Sequence, residues 1–371
     1  MSNFWKDMHI VHPDSNTHTT NVRNIIISKT TPVPPLVPSE TLVFDDHPAN
    51  EEVCEFINAH NCTNAGTIER ISTEFIKNML TTDTIILCLR YQKTGKIMGI
   101  LFSTMLPLQT KISQTVVTIP HAYTYFLCVH AKLRGKAVAM ALIRELINLK
   151  HKIDYYCGYH IVDKIHTANY IPVTSWFRPI NFGSAKANGF SFLSKKRAND
   201  KTDFRDQLYY SIPNFGNLPN SVSVEKGFPD SETLLDVHTL TTKCGYDLAY
   251  IPNVQWYNLF DTYHVRKNGT LVGIFSLQLV HPYNVDLKVN TTVIKMVLIN
   301  GTDIQTTLMC ATYVAKHSYK DVDVLYGYKI GGITDEHIQA IHAGPTTAVR
   351  YLEFYNNSMQ VTDNQISVPI I

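Results

Sequence analysis

The residues best placed for chemistry in this 371-residue chain form one window, Phe126-Leu127-Cys128-Val129-His130-Ala131-Lys132-Leu133-Arg134-Gly135-Lys136-Ala137-Val138-Ala139. Its pattern predicts a strand, a tight basic loop and a helix. A loop entering a helix start offers backbone N–H groups that lack intrahelical partners, at the positive end of the helix dipole, and so forms a cradle for an anion. Gly135 lets the backbone approach a phosphate, while Arg134 and Lys136 add charge. The bland alternative is that two cations merely solvate a helix start. A similar junction later in the chain, Asn300-Gly301-Thr302-Asp303, carries no basic residue. The first junction is therefore expected to hold a phosphate-bearing ligand and the second is not.

Other reactive side chains point to less. Seven cysteines (54, 62, 88, 128, 157, 244 and 310) occur without a C-x-x-C pair, which suits reduced thiols in a cytosol-like compartment. Cys128 lies inside the window, but a small core thiol explains it as well as a nucleophile does. His9 and His12 are three apart in an irregular segment, and no zinc spacing is found among the 16 histidines, so no metal site is expected.

The elements that must position the window follow from periodicity. A short strand Leu42 to Phe44 precedes helices at about Ala49 to Ala59 and Ile68 to Leu80. Strands Thr84 to Tyr91 and Lys96 to Thr104 flank the turn Lys93-Thr94-Gly95. Thr115 to Ile119 and Tyr123 to His130 follow as strands. Then comes a helix with Val138, Leu142, Leu146 and Leu149 on one face, and a strand from Tyr155. The order returns later: Phe260 to Arg266 and Leu271 to Val280 around Asn268-Gly269, strand Thr292 to Asn300, helix Asp303 to Ser318, strand Val322 to Lys329. Hairpin, strand, helix, strand occurs twice, which predicts a duplicated α/β unit joined near 190–220.

Composition sets the frame. Hydrophobic residues make up 44% and charged residues 17%, the profile of a globular chain long enough for two domains. A formal net charge of +2 argues against a polybasic nucleic-acid binder. No secretory signal and no run of eighteen apolar residues is found, so the expectation is a soluble, cytoplasmic protein without a transmembrane segment.

Phe126-Leu127-Cys128-Val129-His130 followed by Lys132-Leu133-Arg134, Lys136 and Val138-Ala139, and continuing into Leu142-Ile143-Arg144-Glu145, closely resembles the signature of the protein N-myristoyltransferase family. Fainter likenesses extend along the chain. Asn3-Phe4-Trp5 resembles the family's aromatic N-terminal clamp over coenzyme A, and Tyr156-Cys157 stands where the family has Tyr-Thr. Trp176-Phe177-Arg178-Pro179-Ile180-Asn181 is similar to Trp-His-Arg-Ser-Leu-Asn. Leu208-Tyr209 and Pro213 look like the crossing between halves, and Tyr351-Leu352 to Ile371 like the final strand and tail.

The resemblance implies an α/β (α+β) fold of two fused GNAT-like, acetyltransferase-type halves, with a pseudo-duplicated mixed sheet flanked by helices. Residues 1–200 would bind acyl-CoA; residues 201–371 would bind the peptide, with the C-terminus returning to the active site. It implies transfer of myristate from myristoyl-CoA, a co-substrate rather than a prosthetic group, to the N-terminal glycine amine of a protein, by a monomeric enzyme. Asn3, Phe4, Trp5, Phe126, Leu127, Cys128, Val129, Arg134, Gly135, Lys136, Ala137, Val138 and Ala139 would contact acyl-CoA. Tyr156, Cys157, Trp176, Phe177 and Asn181 would contact the peptide. The backbone N–H groups of Phe126 and Leu127 would polarise the thioester, and the carboxylate of the last residue, Ile371, would act as base.

Several positions depart from the family pattern. Tyr125 replaces Asn, Cys157 replaces Thr, Phe177 replaces His, and the stretch Asn61-Cys62-Thr63-Asn64-Ala65-Gly66-Thr67 lacks the usual acids. Two other readings therefore stand beside the first: an acyl-CoA-binding relative without turnover, and a GNAT-type acetyltransferase using a short acyl-CoA.

Overall fold

Short alternating runs between turn signals make this a strand-rich chain, and the computed structural model describes residues 40–61, 67–80, 83–112, 115–166, 169–188, 190, 208–210, 217–284, 288–355 and 365–371. The elements begin with β1 (Leu42–Asp45), α1 (Asn50–His60), β2 (Thr67–Arg70) and α2 (Thr73–Leu80). Five strands follow: β3 (Thr84–Tyr91), β4 (Ile97–Met105), β5 (Leu108–Ile112), β6 (Thr115–Ile119) and β7 (His121–Val129). Helix α3 (Val138–Lys152) leads to β8 (Cys157–Val162), β9 (Tyr170–Pro179) and α4 (Phe182–Ala187). Then come β10 (Val222–Lys226), α5 (Ser231–Cys244), β11 (Leu248–Tyr250), α6 (Val254–Leu259) and β12 (Asp261–Lys267). The chain continues through β13 (Thr270–Asn284), β14 (Val289–Asn290), β15 (Val293–Gly301) and α7 (Ile304–His317). It closes with β16 (Val324–Tyr328), α8 (Asp335–Ala340), β17 (Gly344–Tyr355) and β18 (Ile366–Ser367).

By its contacts the chain divides into two compact units. Unit one is Met1–Thr63, Ile71–Pro172 and Arg350–Thr362; unit two is Asn64–Arg70, Val173–Val349 and Asp363–Ile371. In unit one the strands run β1-β3-β4-β7-β8, and β8 pairs with the last residues of β17. β3, β4 and β7 are antiparallel neighbours, and β7 pairs with β8 in parallel. Leu87, Leu89 and Leu101 form one apolar cluster with Val138, Leu142 and Leu146, the predicted face of α3. Gly99 permits this approach, because a Cβ there would lie 2.9 Å from both Leu142 Cδ1 and Val138 Cγ1.

Unit two repeats the plan. Its strands run β10-β12-β13-β15-β16-β9. β12, β13 and β15 are antiparallel neighbours, and β15 pairs with β16 in parallel. Asn268 (φ 51) and Gly269 (φ 79) turn the first hairpin, the left-handed pair that a two-residue turn requires. Leu308, Ala311 and Ala315 of α7 share the core with Trp176, Phe275 and Ile294. Each unit thus carries hairpin, strand, helix and parallel strand in that order, the duplicated α/β organisation expected from the sequence.

One expected helix is corrected. Residues from Ile68 form no helix: Thr67–Arg70 is a strand on β13, and α2 starts only at Thr73. Asn58 causes the break, since its side-chain amide takes both the N–H (2.8 Å) and the carbonyl (3.0 Å) of Ile71. Ser72 Oγ then accepts the N–H of Phe75 and starts the helix, a short-range cap signal.

A buried carboxylate fastens the end of β17 within unit one. The Glu353 side chain is fully buried, with His160 Nε2 at 3.5 Å and His166 Nδ1 at 3.2 Å from Oε2, while the backbone N–H of His166 donates to Oε1. Burial pushes its pKa up, but the hydrogen bonds from His160 and His166 outweigh this and hold it at about 2. A depressed folded value means that the contribution to stability is present above the unfolded carboxylate pKa and is lost as pH falls toward about 2. Glu353→Gln should therefore lower stability at pH 7 by on the order of 2 kcal/mol, and the gap to wild type should close on acidification. Urea denaturation at pH 7 and pH 3 checks this; a gap that does not change with pH would refute the assignment.

Candidate active site

The site begins where two parallel strands part. β7 and β8 pair only at His121↔Cys157, Ala122↔Gly158 and Tyr123↔Tyr159. From there β8 stays with β17 while β7 stays with β4, so a fork opens above the contact of the Tyr123 and Tyr159 rings (5.0 Å). Just beyond it the β4–β7 register slips: Ile100 faces Cys128 and Phe102 faces Tyr125. Two residues, Phe126 and Leu127, therefore oppose the single Leu101, a bulge that disrupts the ladder. Phe126 adopts φ 50, a left-handed conformation uncommon for a bulky residue. Its ring is held by Phe102 (5.4 Å), Tyr125 (5.2 Å) and Phe75 (6.4 Å). A strained backbone so well held is a common mark of a working site.

The loop after β7 makes the cradle. Ala131–Leu133 form a 3-10 turn, Arg134 is extended, and Gly135 (φ 78) and Ala137 (φ 62) are left-handed. Ala137 is the N-cap of the 15-residue α3, no side chain caps that end, and its first turn has no acid. The N–H groups of Val138 and Ala139 thus stand at the positive end of the helix beside the exposed Gly135 and Lys136. Arg134 is less free than its sequence position suggests: Nε donates to Val129 O (3.3 Å) and Nη2 to His60 O (3.0 Å). His60, which sequence reasoning passed over, joins the loop through its ring contact with His130 (4.6 Å). Burial, then the charges of His130 and Arg134, lowers the His60 pKa. The smaller part of that shift, from His130 and Arg134, is the part that would favour an anion.

Cys128 is buried, and burial pushes its thiol up to about 12, so it remains a protonated core thiol. Val129 packs on the α3 cluster, whereas Leu127 is 44% exposed.

Unit two has the same fork, but its own chain fills it. β15 and β16 pair only from Val293↔Val324 to Lys295↔Tyr326, and β15 bulges at Val297 against β13. The tail 366–371 lies there, wholly buried. Ile370 N–H donates to Val297 O (2.9 Å), and Ile366 O accepts Gly331 N–H (2.7 Å) just past β16. The helix start is closed as well. Asp303 caps α7 by accepting from Thr306 N–H (3.0 Å) and pairs with Lys267 (2.8 Å). A carboxylate occupies the place where the first unit offers open N–H groups.

The remaining candidates are distributed as follows. In unit one, Tyr156 donates its hydroxyl to Asp154 (2.8 Å) and Cys157 is fully buried. Tyr125, the first departure, is buried with its hydroxyl on Thr104 (2.8 Å). In unit two, Trp176 is enclosed in the core with its indole N–H on Tyr328 O (3.3 Å). Phe177 is half-buried beside Tyr210, and Asn181 caps α4 through Ser184 N–H (3.1 Å). Ile371 is 7% exposed. Asn3, Phe4 and Trp5 lie outside the described residues, as do Pro213 and most of the acid-free stretch after α1. Lys150, which no motif singled out, is buried near the base of the fork where Gly158 makes room for Nζ. Burial lowers its amine to about 8 and the neighbouring His121 to about 4.

A family model for myristoyl-CoA:protein N-myristoyltransferase, N-terminal domain, matches residues 18–169. The glycylpeptide N-tetradecanoyltransferase of Plasmodium falciparum is 27% identical over 197 residues, covering 50% of this chain and 45% of that protein. The enzyme of the same name from Candida albicans is 27% identical over 125 residues, 34% of this chain and 26% of the relative. The matched stretches span less than half of either relative. Saccharomyces cerevisiae N-myristoyltransferase, solved with bound myristoyl-CoA, superposes with a TM-score of 0.79 at 15% identity, over 100% of this chain and 94% of that one. The matched domain contains the whole of the fork, the bulge and the basic helix start, and over it the chain is similar to N-myristoyltransferases.

Proposed function

We propose that the chain transfers myristate from myristoyl-CoA to the N-terminal glycine amine of protein substrates. The observation that carries this reading is the fork in unit one: a left-handed bulge at Phe126–Leu127 followed by an uncapped, basic helix start. The pyrophosphate of coenzyme A would lie on the N–H groups of Val138 and Ala139 with Lys136 beside it, and the thioester at the bulge. Backbone N–H groups of Phe126 and Leu127 would donate to the developing oxyanion; one such donor is worth about 3–4 kcal/mol of barrier. The glycine nitrogen attacks the carbonyl carbon, the C–S bond breaks, and coenzyme A leaves as thiolate. Burial of the acyl chain supplies affinity at roughly 0.8 kcal/mol per methylene.

The amine must lose a proton first, because a free α-amine has a pKa of about 8. The carboxylate of Ile371 is our choice of base, supported by the burial of the apolar tail that carries it. Residues 1–200 would serve acyl-CoA and 201–371 the peptide, with Tyr156, Phe177 and Asn181 in contact with it and the fully buried Cys157 and Trp176 supporting from the core. We further take the protein to act as a cytoplasmic monomer.

A second reading, an acyl-CoA binder without turnover, is favoured by Tyr125 and Cys157. The first has its hydroxyl committed to Thr104 and the second is fully buried, so neither is a ready partner for an amine.

The deciding experiment incubates the full chain with myristoyl-CoA and a glycine-initiated peptide panel, read by intact mass. Added acyl mass that requires the glycine amine supports transfer, and a variant extended by two residues beyond Ile371 should lose it. Tight binding without product would favour the binder, and preference for acetyl-CoA would indicate the short-chain enzyme. Lys136→Glu should raise KM for myristoyl-CoA by about tenfold with kcat little changed; an unchanged KM would remove the phosphate role of the loop. The acid-free stretch 61–67 leads us to expect little preference for a downstream Lys or Arg in the substrate, and a strong preference in kcat/KM would contradict this.

A further inference from the structure

We infer that Asn300 and Ser367 are positioning residues that set the register of the tail and so fix where the Ile371 carboxylate stands. This rests on the reading of Ile371 as the base. The run Ile366-Ser367-Val368-Pro369-Ile370-Ile371 is buried throughout, and Ser367 has its one hydroxyl. A strand this apolar sits almost equally well one repeat along, since apolar contacts carry little information about register. Pro369 lacks an N–H, which removes one ladder bond that could oppose a slip.

Asn300 supplies what the apolar residues do not. It is fully buried on β15, and its Nδ2 donates to Tyr250 O on β11 (3.1 Å) and to Thr241 Oγ1 on α5 (3.3 Å). Thr241 in turn donates its hydroxyl to Val237 O (2.9 Å), so it presents only a lone pair to Asn300. These bonds fix the amide orientation and direct Oδ1 at the tail. There it meets Ser367 Oγ, whose single proton is shared between Asn300 Oδ1 and Ile299 O (2.6 Å). A slip of two residues that brought Pro369 to this position would present no proton to Oδ1 and leave a buried acceptor unpaired, a costly state. Only the observed register brings the Ser367 hydroxyl to Oδ1. From Ser367 the extended chain reaches Ile371 in four residues, roughly 13 Å, with Ile370 N–H held on Val297 O along the way.

The test compares wild type, Ser367→Ala, Ser367→Thr, Asn300→Ala and the chain extended by two residues beyond Ile371. Ser367→Ala should cut kcat by about a hundredfold, the order expected when a reacting group is displaced by an ångström, with KM for myristoyl-CoA unchanged. Its kcat should also climb with pH as the amine deprotonates unaided near its free pKa of about 8, whereas Ser367→Thr should retain the wild-type profile. Hydrogen exchange at Ile370, which needs neither turnover nor substrate, should accelerate in Ser367→Ala. Wild-type kcat, pH profile or Ile370 exchange in that variant overturns the inference, as does a loss of kcat with an unchanged pH profile, which marks a merely structural role. If the extended chain loses activity while Ser367→Ala does not, the base reading stands and the latch falls. If the extended chain keeps full activity, the base reading itself falls and takes the latch with it.

Discussion

Two parallel strands that bond for three residues and then part leave a row of backbone N–H and C=O groups facing a gap. Those groups cannot stay dry and unpaired, because each buried one costs about as much as a lost hydrogen bond. Every later feature of the two units answers the question of what fills that gap. In unit two the reply is intramolecular: the tail donates Ile370 N–H to Val297 O and takes Gly331 N–H on Ile366 O. In unit one the fork closes on Tyr123 and Tyr159 and opens toward a bulge whose left-handed Phe126 is braced by three aromatic rings. One plan thus yields a filled fork and a fork suited to a ligand, and the difference lies in the residues added to the plan rather than in the plan itself.

The helix starts tell the same story in electrostatic terms. A helix N-terminus attracts either a side-chain cap or an external anion. Asp303 gives α7 a permanent carboxylate, further neutralised by Lys267. The α3 start has Ala137 in that position, which forms no cap, and cationic or titratable side chains gather around it: Lys136, Arg134, His130 and His60. Burial first, and then the neighbouring charges of His130 and Arg134, lowers the pKa of His60. An incoming phosphate would relieve that repulsion, whereas at α7 it would meet a carboxylate.

How much of this could be read beforehand depends on the range of the signal. The hairpins were legible from Lys93-Thr94-Gly95 and Asn268-Gly269, the α3 face from Val138, Leu142 and Leu146, and the loop into α3 from Arg134-Gly135-Lys136, because each is written within a few residues. The start of α2 was lost because the decisive group, Asn58, lies thirteen residues upstream and acts through its side chain. The bulge at Phe126–Leu127 depends on its pairing with β4, and the role of Asn300 on a tail 67 residues away. Lys150 read as one more helical lysine, since only Gly158 on another strand makes room for its burial. Trp176 showed the opposite weakness: its motif suggested a binding surface, but its size and its bond to Tyr328 O make it core.

The two features that distinguish unit two are physically independent, and this bears on why its fork stays filled. Removing the tail would uncover Val297 O and the flank of β15, but it would not move Asp303, which is held by Thr306 and Lys267 through bonds that involve no tail residue. An anionic ligand entering an emptied second fork would still meet the Asp303 carboxylate at the helix start. Conversely, replacing Asp303 would free N–H groups at α7 while the tail still occupied the fork. Neither change alone recreates the first site, so the asymmetry between the units is held by two constraints of different kinds, one of packing and one of charge. With both, one copy is committed to holding the tail and the other is left open to a ligand.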